Sequence, residues 1–163
     1  MRSLLLLRHA KSSWDDPSIE DFDRPLAARG ERDAPRMGCA LRKRGPSPDI
    51  VLSSSAVRAR RTTEAFLAAM DLDVLPEFRE SMYVAVAGDL LDIVQALPDR
   101  ARVALLVGHN PGMEVLVERL SRRAERMPTC ALARITFTCK HWADVKDHKG
   151  RFAWVLRPKD LGE

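Results

Sequence analysis

At 163 residues the chain has the length of one compact domain with a single core, and residues 1–163 are read as one domain. A composition of 45% apolar and 31% charged residues belongs to an ordinary soluble globular protein and excludes a disordered or fibrous chain. The formal charge of +4 favours an anionic substrate, but it is spread along the chain rather than gathered in a tail, so charge alone names no partner. Arginine supplies 21 of the 27 basic residues, which suits forked recognition of phosphate oxygens and would equally follow from a compositional bias of the source.

The chain opens with Met1-Arg2-Ser3 and four leucines, Leu4 to Leu7, before Arg8. That run is too short for a secretory leader or a membrane span and reads as a buried strand, so a cytoplasmic protein without a membrane partner is expected. A helical spacing follows over Leu26 to Arg44 and is stopped by Gly45-Pro46. Asp49 to Leu52 reads as a second strand, Val57 to Met70 as a second helix, and Asp89 to Leu97 as a shorter third helix closed by Pro98. Val103 to Val107 is a third buried strand, and Asn110-Pro111 opens a fourth helix over Gly112 to Leu120, with Pro111 expected in its first turn. Ala131 to Thr138 and Phe152 to Leu156 read as two late strands without a crossover helix between them, hence an antiparallel edge. The alternation predicts an α/β fold: a three-layer α/β/α sandwich with a mostly parallel sheet and that antiparallel addition. Cys39, Cys130 and Cys139 are odd in number and match no framework spacing, so free thiols in a reducing compartment are expected. No sequence feature bears on oligomeric state.

Chemistry enters at the strand ends. Leu7 runs into Arg8-His9, Leu52 into Ser53-Ser54-Ser55 and then Arg58, and Val107 into Gly108-His109-Asn110. In an open parallel sheet these carboxyl ends line one edge, where ligands bind. Two histidines and two arginines brought together there suit phosphoryl transfer, which needs an in-line nucleophile and a positive clamp around the equatorial oxygens. One imidazole would attack phosphorus, its other ring nitrogen donating to a carbonyl or carboxylate, while the arginines and a second, protonated histidine stabilise the oxygens.

Arg8-His9-Ala10 after the first strand, Ser54 with Arg58-Ala59 and Thr62, and Gly108-His109-Asn110-Pro111 resemble the histidine phosphatase superfamily, with its phosphoglycerate mutase-like fold. Arg8-His9-Ala10-Lys11-Ser12 and Asp23-Arg24-Pro25-Leu26 in so short a chain look most like the SixA-type phosphohistidine phosphatases. The resemblance spans almost the whole chain. It implies His9 as nucleophile, Arg8 and Arg58 as phosphate ligands, His109 as the second pocket histidine, and Ser54, Asn110, Lys11 and Ser12 as substrate-binding residues. Ala10 stands where the family's triplet usually has glycine, and activity is expected to survive that change. Glu80 is the candidate general acid, with Glu77 next. Neither stands in a strong acidic motif. That favours a phosphohistidine protein or other phosphoramidate as substrate, whose imidazole leaves without acid help, over a small phosphate ester. The segment Ser12 to Asp23, with Trp14, is expected to rim the pocket or to be a plain loop. No metal or other cofactor is implied.

Other readings compete. Cys139, His141 and His148, with Cys130 or Asp144, fit no standard zinc spacing and are read as a polar exposed turn. Arg58-Ala59-Arg60-Arg61 and Arg122-Arg123 lack interleaved aromatics, so no nucleic-acid partner is expected. A small-molecule phosphate ester phosphatase, a mutase or a non-catalytic phosphate-binding module would carry the same pocket. Turnover separates the last from the others.

Overall fold

The computed structural model describes residues 1–162. Its elements follow in chain order as β1 (Arg2–Arg8), α1 (Ala28–Arg44), β2 (Ile50–Ser54), α2 (Val57–Met70), β3 (Glu77–Arg79), α3 (Ala87–Gln95), β4 (Val103–Gly108), α4 (Gly112–Ser121), β5 (Leu132–Phe137) and β6 (Arg151–Leu156). The six strands form one sheet in the order β3-β2-β4-β1-β5-β6. β3, β2, β4 and β1 run parallel, while β5 is antiparallel to β1 and β6 antiparallel to β5. The expected sandwich and its antiparallel edge are therefore present.

The leucine run of β1 explains the three layers. Successive side chains of a strand point to opposite faces, so a strand covered on both sides is apolar throughout. Leu4 and Leu6 join Leu52 and Leu106 beneath Leu90 of α3 and Leu116 of α4. Leu5 and Leu7 join Val51, Leu105 and Val107 beneath Met37 and Leu41 of α1 and Phe66 of α2. All four leucines of the run are fully buried.

The topology also sets the position of the site. From β1 the chain passes through α1 to β2 on one side, and from β4 it passes through α4 to β5 on the other. β1 and β4 are hydrogen-bonded neighbours, so the crevice beyond their carboxyl ends is the topological switch point of the sheet. Their register pairs Arg8 with Gly108, which delivers His9 and His109 side by side as the two strands end.

The structure revises several local expectations. Helix α1 starts at Ala28 rather than Leu26, because Leu26 pairs with Ser12 in an antiparallel bridge and the Ala27 N–H donates to the Lys11 carbonyl (2.8 Å). A Cβ on Gly30 would lie 2.2 Å from that same carbonyl, so only glycine lets the helix approach the Lys11 loop this closely. Pro111 is the N-cap of α4, one position before its first turn. Helix α3 sits two residues earlier than the Asp89–Leu97 reading. Edge strand β3 was not anticipated: Glu77-Phe78-Arg79 has no apolar run and joins β2 through backbone pairing alone. The polar turn between β5 and β6 is anchored rather than wholly exposed. Trp142 in it is fully buried and donates Nε1–H to the Ala101 carbonyl (2.7 Å), and His141 turns to Asp99 (2.8 Å). Among the described residues no helix is long and apolar enough to cross a membrane.

Candidate active site

The chain leaving β1 is locked on every side. The His9 N–H donates to the Gly108 carbonyl (3.0 Å), and the Ala10 N–H to the Thr62 hydroxyl (2.9 Å), which itself donates to the Arg58 carbonyl (2.7 Å). The Cys130 N–H donates to the carbonyls of Arg8 and His9 (3.1 and 3.0 Å). Ala10 is fully buried in the core and lies outside the left-handed region, so its methyl needs no glycine conformation.

His9 Nδ1 lies 2.7 Å from the Ala10 carbonyl, an acceptor only, so Nδ1 carries the proton and Nε2 keeps its lone pair. This is the tautomer that nucleophilic attack requires. The His109 ring stands beside it, with centroids 5.1 Å apart, and places Nε2 2.8 Å from Ser54 Oγ. That hydroxyl also accepts the Ala56 N–H (3.2 Å), and where it donates its own proton to His109 Nε2 the ring carries its N–H on Nδ1.

Both rings, with Arg8, Arg24, Arg58, Lys11, Ser12, Asn110, Trp14, Val84 and Thr129, line one cavity of about 220 Å³. Three buried polar atoms have no partner among the described residues: Arg8 Nε, Arg58 Nε and His109 Nδ1. All three belong to side chains of this cavity. Buried polar atoms are almost always paired, so three unpartnered nitrogens on the side chains of one cationic cavity suit the binding of an anion. No carboxylate is among the described residues lining it.

Neighbouring groups hold these side chains in place. Arg58 donates to the Asp21 carbonyl (2.6 Å) and the Asp21 carboxylate (3.1 Å). Asp21 also accepts from the Tyr83 hydroxyl and from Arg24 (3.2 Å). The Tyr83 hydroxyl, with Arg58 and Arg24, holds the Asp21 carboxyl down to about 2, so it stays ionised. Arg24 is buried, donates to Ser12 Oγ (2.8 Å) and lies 3.5 Å from the Trp14 ring centroid. Arg8 and Asn110 both donate to the Met127 carbonyl (3.2 and 2.9 Å).

Burial pushes His9 down to about 3, and the charges of His109, Arg58 and Arg8 push the same way against the Ala10 hydrogen bond. Burial, then Arg58, brings His109 to about 4, with Asp21 opposing. Both rings are thus held in the neutral form at neutral pH. An arriving anion would raise the His109 pKa again, in the direction of the protonated second histidine expected at the charged oxygens. In the unfolded chain both titrate near 6.5, so between there and about 3 to 4 unfolding takes up protons. Stability is therefore expected to fall as pH drops from 7 to 4. Chemical denaturation across that range should show a shallower dependence in His109→Ala than in the parent.

A family model described as the histidine phosphatase superfamily (branch 1) matches residues 4–134. The chain belongs to that superfamily. A chloroplastic protein of Arabidopsis thaliana is 34% identical to it, over 95% of this chain and 75% of the relative. Two solved structures described as the phosphohistidine phosphatase SixA are similar throughout. The one from Nakamurella multipartitia has a TM-score of 0.83 and 29% identity over 96% of both chains. The one from Agrobacterium tumefaciens has a TM-score of 0.81 and 31% identity over 96% of this chain and 98% of the other.

Of the residues singled out from the sequence, Arg8, His9, Lys11, Ser12, Arg58, His109 and Asn110 line the histidine phosphatase cavity directly. Ser54 stands behind it as the partner of His109. Glu80 is not brought in: it is exposed at the start of the turn after β3 and lies outside the cavity lining, and Glu77 is exposed in β3 itself. The Ser12–Asp23 segment does form rim, through Ser12 and the exposed Trp14. Asp21, Arg24 and Tyr83 were missed. For Arg24 a signal existed in Asp23-Arg24-Pro25-Leu26, and a lone aspartate or tyrosine carries none.

Proposed function

We propose that this phosphatase hydrolyses phosphohistidine on a protein, or another phosphoramidate, in two steps through His9. In the first, His9 Nε2 attacks phosphorus as the substrate's P–N bond breaks, and its electron pair returns to the leaving nitrogen. A phosphohistidine whose other ring nitrogen is protonated leaves as a neutral imidazole and needs no acid from the enzyme. In the second, water attacks phosphorus, the bond to His9 Nε2 breaks, and orthophosphate departs. Arg8, Arg58 and His109 surround the oxygens in both steps, where fixed donors in a water-poor site stabilise growing charge. Ser54 positions His109, and Lys11, Ser12 and Asn110 contact the substrate at the rim.

The observation that carries this reading is the set of three buried, unpartnered nitrogens on side chains that line one cavity, beside a histidine that keeps its Nε2 lone pair. The cavity supports the substrate class as well. At about 220 Å³ it takes a phosphoryl group and little more, which leaves the rest of a substrate outside, as a side chain on a protein surface would be. No carboxylate among its described lining residues could protonate an alkoxide. Free thiols at Cys39, Cys130 and Cys139 fit the proposed cytoplasmic setting.

The test is the ratio of kcat/KM for a phosphohistidine peptide to that for an alkyl phosphate ester. An alkoxide deprived of acid assistance is expected to be slower by about a hundredfold or more. Faster turnover of the ester would overturn the phosphoramidate assignment.

A further inference from the structure

The active-site pocket does not end at Asn110. Arg8 and Asn110 also line a cleft of about 480 Å³ floored by Met127 and Pro128. Pro128, Arg157 and Lys159 pass from that cleft into a second one of about 550 Å³, walled by α1 through Arg29 and Arg32. The second cleft meets the pocket rim again at Thr129. Space several times the size of the pocket thus adjoins it through shared lining residues.

Its walls are cationic. Arg126 and Lys159 are exposed and have no ion pair among the described residues. Arg29 reaches only the Thr129 hydroxyl at 3.5 Å, and Arg32 lies 3.9 Å from the Asp33 carboxylate. The two acids of the walls are already engaged: Glu114 accepts the Met127 N–H (2.7 Å), and buried Asp33 pairs with Arg36 (3.0 Å). Arg157 is held in place by Glu125 (2.9 Å) and the Arg126 carbonyl (3.0 Å).

We propose that this cleft binds an acidic stretch of polypeptide flanking the phosphorylated residue of a substrate protein. The inference rests on the phosphatase reading of the pocket and adds the feature by which a protein substrate is selected. Charge complementarity names the sign of the occupant, and joined clefts of this size take several side chains rather than one more phosphate. Absence of any aromatic side chain from the described lining residues of both clefts disfavours a nucleic acid strand, whose bases stack on such residues.

Three substrates test it: phosphoramidate itself, a phosphohistidine peptide flanked by glutamates, and the same peptide flanked by glutamines. Each is compared in the parent and in an Arg126→Glu/Lys159→Glu double variant, alongside binding of the unphosphorylated glutamate-flanked peptide. The parent is expected to prefer the acidic peptide by about tenfold or more in kcat/KM at low salt, with the preference shrinking as salt rises. The double variant is expected to lose that preference and keep parental phosphoramidate turnover, which also reports an intact fold. Equal turnover of both peptides by both proteins, with phosphoramidate still hydrolysed, would overturn the cleft and leave the phosphatase standing. Binding of the acidic peptide that the double variant loses, with none of the three substrates hydrolysed, would keep the cleft as an acidic-peptide site and remove the phosphatase reading. Tighter binding of a single-stranded oligonucleotide than of the acidic peptide at the same salt would also overturn the proposal.

Discussion

His9→Ala is expected to lower phosphoramidate turnover by about 10⁴-fold or more, the scale seen when a covalent nucleophile is removed. The remaining arginines and His109 can still bind the phosphoryl group, so KM should move far less than kcat. The fold should persist. His9 makes one side-chain hydrogen bond, to the Ala10 carbonyl, and its loss costs about 1 kcal/mol, offset in part because a desolvated ring beside two guanidinium groups is also removed. Steady-state kinetics together with a denaturation curve separate the two effects. A variant that loses activity only because it has unfolded would count against a chemical role.

Arg58→Lys is expected to cut kcat/KM by about 10²-fold to 10³-fold although the charge is kept. The Arg58 side chain is 5% exposed and lines the cavity, two of its nitrogens hold the carbonyl and carboxylate of Asp21, and its buried Nε has no partner among the described residues. A lysine ammonium can satisfy Asp21 or a phosphoryl oxygen, but it lacks the planar fork that meets both at once. The loss should appear for phosphoramidate and phosphohistidine alike, because the contact is to the transferred group. Kinetics within about twofold of the parent would place Arg58 outside the chemistry and reduce it to a tether for Asp21.

Much of the fold was legible because its signals are local. The leucine run of β1, the Val103–Val107 run of β4 and the helical spacing of α2 are each carried by consecutive residues, and α2 was bounded correctly at both ends. β3 was not legible because three residues of an edge strand need no apolar pattern, only a neighbour with free backbone groups. The start of α1 depends on Leu26 pairing with Ser12, a contact that no window around residue 26 contains.

The site divides in the same way. Arg8, His9, Arg58, His109 and Asn110 follow strand ends, so a rule about open sheets was enough to bring them together. Asp21 and Tyr83 enter from loops, and their value lies in holding Arg58 and flanking His109, which residue type does not announce. Glu80 was drawn in by its chemistry, whereas the turn after β3 leaves it exposed and directs Tyr83, three residues on, toward the site. The lowered pKa of His109 could not be read either, since it depends on burial and on the charge of Arg58.

The central claim is that His9 carries the phosphoryl group. Intact mass after brief exposure to phosphoramidate, quenched at alkaline pH because histidine phosphoramidates are acid-labile, tests it most directly. One phosphoryl adduct is predicted in the parent protein and none in His9→Ala. An adduct of equal yield in both, or phosphate release by His9→Ala at the parental rate, would contradict the account.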